Sequence, residues 1–191
     1  MMRSLRSIYF AFCFVALAAA ACSLHSKGPG AEPDARSIAE TAKQAQAQFA
    51  LGRSKHALEI YSNAYEKYHH STGLRRGYIK LGEQIKSAAD TAYQSGDVSE
   101  AGNDYRVLLE SGITTRDFAG TLSFDEDYLN RQINACSKVL MESGLMTYRE
   151  ERLEEAIAIW KKALTFDPDN RNIKNALETA TSQLQKLKQI K

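Results

Sequence analysis

Three times in 191 residues one spacing of aromatic, turn, small, aromatic and small residues recurs, and nothing else in the chain constrains its fold as tightly. Taking Gly52 of FALGRSKHALEIYSNAYEKY as zero, Phe49 lies three before it, and Ala57, Tyr61 and Ala64 lie five, nine and twelve after. Gly96 sets the same frame for Tyr93, Ala101, Tyr105 and Leu108, and Glu151 sets it for Tyr148, Ala156, Trp160 and Ala163. The one substitution is Leu108 at the last small position. The spacing predicts a helical hairpin. A first helix ends at a residue wanting left-handed backbone, which Gly52 and Gly96 supply without steric cost. A second helix then carries small residues two turns apart on one stripe, so that a neighbouring backbone comes close while the ring between them fills the diverging wedge. A hairpin alone leaves an apolar face uncovered, so hairpins are expected to stack.

The apolar runs outside these segments also keep helical spacing, and the three prolines, at 29, 33 and 168, interrupt no predicted helix, so the fold class is all-α. The frames are 44 and 55 residues apart, which places extra length before the first helices of the second and third units. STGLRRGYIKLGEQIKSAADTAYQ reads as one long helix from near Ser71. SFDEDYLNRQINACSKVLMESGLMTY reads as another, with Ser123 and Glu126 as a capping box, and SGITTRDFAGTL between them reads as a loop. DVSE, from Asp97 to Glu100, also has the form of a capping box. After Pro168 a last amphipathic helix with a polar outer face would serve as the terminal cap over residues 171–191.

The spacing resembles the tetratricopeptide repeat, TPR, a two-helix unit of 34 residues. SGLMTYREERLEEAIAIWKKALTFDPDN carries the resemblance best, through Gly144, Ala156, Trp160, Ala163 and Pro168. Units near residues 38–71, 82–115 and 137–170 would form a short TPR-like solenoid with elongated first helices. Thr41, Ile85 and Leu140 stand where the family often has an early aromatic, and Glu151 stands where it has a turn glycine. The resemblance implies that the first helices line a concave groove for a protein partner. Its residues would be Gln46, Phe49 and Ala50 in the first unit and Lys86, Asp90, Tyr93 and Gln94 in the second. Met141, Leu145, Tyr148 and Arg149 would complete it in the third. Phe49, Tyr93 and Tyr148 recur at one offset and would form an aromatic row or pack hairpin on hairpin.

The beginning of the chain carries a targeting signal rather than fold. Arg3 and Arg6 precede an apolar run over residues 8–21 that is short for a bilayer span and ends in small residues, the pattern of a secretory signal. Ala19-Ala20-Ala21-Cys22 resembles a bacterial lipobox, which implies cleavage before Cys22 and acyl chains on that residue. Two or three acyl chains anchor a protein stably. In that family Ser23 after the cysteine is compatible with sorting to an outer membrane. Residues 22–37, rich in Gly, Pro, Ser and charge, read as a flexible tether, and residues 38–191 as the TPR-like domain.

Removal of residues 1–21 takes two arginines and no acid from a formal charge of +2, so the mature body is neutral, which argues against nucleic acid as partner. Cys136 has no intramolecular partner once Cys13 is removed and Cys22 acylated, and reads as a small buried hydrophobe. No catalytic constellation occurs. His69 and His70 lack further ligands at metal spacing, His56 sits on a helix surface, and neither G-x-S-x-G nor a phosphate loop is present. Asp125 and Asp127 suit a helix's first turn, and Lys186, Lys188 and Lys191 suit a helix C-terminus. The expectation is a non-enzymatic, lipid-anchored periplasmic scaffold without cofactor, metal or small-molecule substrate. It would bind protein partners in the cell envelope, in assembly of an envelope machine, at the periplasmic part of a sensor kinase, or beside cell-wall enzymes.

Overall fold

A computed structural model describes residues 33–114, 117–118 and 120–190, and all regular structure among them is helical. The elements are α1 (Ala35–Ala50), α2 (Ser54–Lys67), α3 (Thr72–Ser95), α4 (Val98–Glu110), α5 (Glu126–Arg149), α6 (Leu153–Phe166) and α7 (Arg171–Ile190). Packing runs between helices adjacent in sequence, and also joins α2 to α4, α4 to α6 and α1 to α3. Helices α1–α2, α3–α4 and α5–α6 are the three expected hairpins, and α7 packs on α6.

The hairpin turns are built alike. In each, the residue after the turn donates its N–H five residues back: Arg53 to Gln48 O at 3.0 Å, Asp97 to Ala92 O at 2.8 Å, Arg152 to Thr147 O at 3.2 Å. The turn residue itself donates three back, to Phe49, Tyr93 and Tyr148. This pair of bonds is the Schellman motif, which needs a left-handed residue. Gly52 and Gly96 have φ of 70° and 89°, and Glu151, without a glycine's freedom, adopts 61°.

The repeat lies where the spacing put it. Ala57, Ala101 and Ala156 are fully buried in the second helices, beside the buried rings of Tyr61, Tyr105 and Trp160. The structure adds a further recurrence of buried small residues. Seven residues before each turn, Ala45, Ala89 and Gly144 are buried in the first helices. At Gly144 a Cβ would collide with the Trp160 indole, so the largest ring of the chain demands its smallest residue.

Two boundaries differ from expectation. Helix α1 starts at Ala35, inside the stretch read as tether, because the Asp34 carboxylate accepts the Ser37 N–H at 2.8 Å and caps it. Helix α5 is capped by Asp125, which accepts from Tyr128 N at 2.7 Å, and not by Ser123. Ser123 instead donates its N–H and its hydroxyl to the Glu83 carboxylate, each at 2.6 Å. Asp97 caps α4 as expected, and Ser71, near which the long helix was expected to start, caps α3.

The connection between α4 and α5 is a packed plug rather than an open loop. Ile113, Phe118 and Phe124 are buried. The Phe118 ring sits 5.0 Å from Tyr65 and 5.3 Å, edge-on, from Tyr78. Arg75 donates to the Asp117 carbonyl at 2.6 Å and lies over the Phe118 ring. The elongated starts of α3 and α5 have a like use, each lying across the preceding hairpin. Tyr78 stacks on Tyr61 at 6.1 Å between centroids, and Tyr128 meets Tyr105 edge-on at 6.3 Å.

Candidate partner-binding furrow

The expected groove residues divide into two groups. Lys86 and Asp90, one turn apart on α3, are engaged inside the chain. Lys86 Nζ is 2.7 Å from Asp90 Oδ2, and the Tyr105 and Tyr128 hydroxyls donate to Asp90 Oδ1 at 2.6 and 2.8 Å. Lys86 also stands 5.0 Å over the Tyr128 ring. Burial alone would raise the Asp90 pKa, but bonds from Lys86, Tyr105 and Tyr128 outweigh it and hold the carboxyl below its ordinary range. The bond to Asp90 raises the Lys86 ammonium in turn. This network ties α3, α4 and α5 together, so the extra turns of α5 cover this part of the expected groove.

The third unit is also largely committed. Tyr148 packs 6.0 Å from Trp160 and donates to Gln183 Oε1 of α7 at 2.5 Å, while Trp160 Nε1 donates to the Met141 carbonyl at 3.3 Å. Met141, Leu145 and Tyr93 are half-buried against the core, and Arg149 is exposed. Among the described residues no ring contact joins Phe49, Tyr93 and Tyr148, so these rings do not form a row; Tyr148 meets Trp160 of its own hairpin, and Phe49 faces α3 of the next. Cys22 lies outside the described residues.

What stays open is the furrow between α1 and α3, which run side by side in one direction. A Cβ on Gly73 would touch Ile38 at the start, and Phe49 shares a cleft with Ala88 and Ala92 at the end. At the starting end a cleft of about 550 Å³ is lined by Ile38, Ala42, Tyr61 and Leu81 together with Gln46 and the cations Lys43, Arg76 and Lys80. At the finishing end, clefts of about 570 and 760 Å³ meet around Phe49 and are bordered by Asp97 and Glu100, the larger also by Asp104 and Lys162. Burial raises the Asp104 carboxyl, the Glu100 charge adds to that, and a bond from Ser54 opposes both. The furrow is therefore basic at one end, acidic at the other and apolar along its floor.

Gln46 and Phe49, which the resemblance assigned to a groove, line these clefts. Arg76 and Lys80, one turn apart, went unnoticed because residues 72–81 fall outside a 34-residue frame, and Lys43, inside the first unit, because a lone exposed lysine carries no spacing signal. No group of His, Cys, Asp and Glu able to hold a metal ion occurs among the described residues. Cys136 is buried and its thiol is pushed up to about 11 by desolvation, which suits packing and not nucleophilic chemistry. Among the same residues no helix is long and apolar enough to cross a membrane. No model of a known protein family matches the chain, and no characterised protein is significantly similar to it.

Proposed function

We propose that this chain is a membrane-anchored, TPR-like interaction scaffold of the bacterial periplasm, serving assembly of a cell-envelope machine. It holds a protein partner in the α1–α3 furrow by apolar burial and a few polar contacts, and it performs no chemistry of its own. The observation that supports this most is the furrow. Where the chain's own side chains fill the shared face at Lys86, Asp90 and Tyr148, the stretch beside Gln46 and Phe49 keeps clefts wide enough for another chain's side chains. Half-buried aromatics such as Phe49 give contact area at low rotamer cost. Acylation at Cys22 would raise the effective concentration of the scaffold at the membrane, outer by the Ser23 resemblance.

A photoreactive residue at Phe49, compared with one at Lys161 on the exposed side of α6, tests the reading in native envelopes. Crosslinks to envelope proteins from position 49 and none from 161 are expected. Capture from 161 alone would remove the furrow from the proposal. The anchor has its own test: Cys22→Ser should move the protein from the membrane to the soluble fraction, and unchanged fractionation would remove lipidation.

A further inference from the structure

Lys43 of α1 and Arg76 and Lys80 of α3 border one cleft, and no carboxylate lines it. All three are exposed, and none forms an ion pair among the described residues. Lys86, Arg106 and Arg152, by contrast, pair with nearby acids, Asp90, Glu110, and Glu150 with Glu155. The acids nearest in sequence to these three are occupied, since Glu40 accepts from Gln44 and Glu83 holds Ser123. Three like charges thus surround an apolar floor made by Ile38, Ala42, Tyr61 and Leu81, an arrangement that is repulsive in the free protein and relieved by an anion.

We propose that this cleft recognises an acidic protein segment carrying apolar side chains. The proposal rests on the furrow reading above and assigns its partner's chemistry. Carboxylates of the segment face Lys43, Arg76 and Lys80, while its apolar side chains reach the floor. At the other end of the furrow Asp97 and Glu100 repel an acidic continuation, so the acids sit at one end of the bound segment and its direction is fixed. A flat anionic membrane could meet the cations but would leave the recessed floor uncovered, which favours a polypeptide.

The test is a selection from a random peptide library on the full chain anchored in neutral phosphatidylcholine vesicles, in parallel with the Lys43→Glu, Arg76→Glu, Lys80→Glu triple variant. The winners are mapped by crosslinking and by competition with phosphatidylglycerol vesicles. The substitutions are all at exposed positions, and circular dichroism verifies the fold. The expected winners are acidic with interspersed apolar residues, crosslink to α1 and α3, and bind the triple variant at least tenfold more weakly. Neutral or basic winners at α1 and α3 would overturn the acidic assignment while leaving the furrow as a docking site. Winners that map elsewhere would sink both. Vesicle binding that depends on the three cations, without acidic winners, would reassign them to the membrane surface.

Discussion

Glu151 occupies a backbone conformation that its two counterparts fill with glycine. At φ 61° its Cβ crowds the following carbonyl, a cost of about 1 kcal/mol or more for an L-residue. Its side chain is exposed, so little packing offsets that cost. Glu151→Gly should raise stability by about 0.5–1 kcal/mol after allowing for the greater freedom of glycine in the unfolded chain. A urea midpoint that falls would show that the side chain earns its place locally. Asp90 makes an opposite case, because a polar residue holds three elements together. Its folded pKa lies below the unfolded one, so its stabilisation is present above the unfolded value near 4 and disappears as pH drops through the folded value. Asp90→Asn should cost ~2 kcal/mol at pH 7, where charge-assisted bonds from Lys86, Tyr105 and Tyr128 are lost or weakened. The gap between variant and parent should close under acid conditions. Melting curves at neutral and low pH that differ by the same amount would mean that shape, not charge, supports the network.

At the scale of elements, the hairpins were legible because small and large residues alternate at helical intervals, and a period is visible in sequence. The connection from α4 to α5 was not. Its Gly, Thr and Ser content reads as loop, and nothing local says that Phe118 enters a slot between Tyr65 and Tyr78, residues from two other helices. Likewise Asp90 read as a groove residue until Tyr128 came to it from 38 positions away. Such contacts are set by tertiary packing, to which a repeat frame is blind. The plug has a measurable consequence. Phe118→Ala should cost about 3–5 kcal/mol, as for a buried ring, although the residue lies outside every helix. If the change costs under ~1 kcal/mol, the connection is an accessory surface loop after all.

Across the whole molecule, stability should be uneven, because each helix leans mainly on its sequence neighbours, as in arrays whose units contribute separately. Helix α4 packs against α2, α3, α5 and α6, whereas α1 packs against α2 and α3 and has one fully buried residue in its helix, Ala45. Amide hydrogen exchange should therefore be slowest in α3 and α4 and fastest in α1 and the last turns of α7. The gradient bears on function, since α1 is one wall of the furrow. A segment bound there selects the docked form of α1, so its amides gain protection by RT ln(1 + [L]/Kd), ~2.7 kcal/mol at a hundredfold excess over Kd. The amides of α6, which reaches the furrow only through Lys162, gain less because they open without releasing a segment docked between α1 and α3. Exchange measured with and without a bound acidic peptide separates the cases. Protection that rises in α1 and α3 and stays level in α6 supports a furrow that opens locally at α1, whereas an equal rise everywhere means that helices α1–α7 open as one unit.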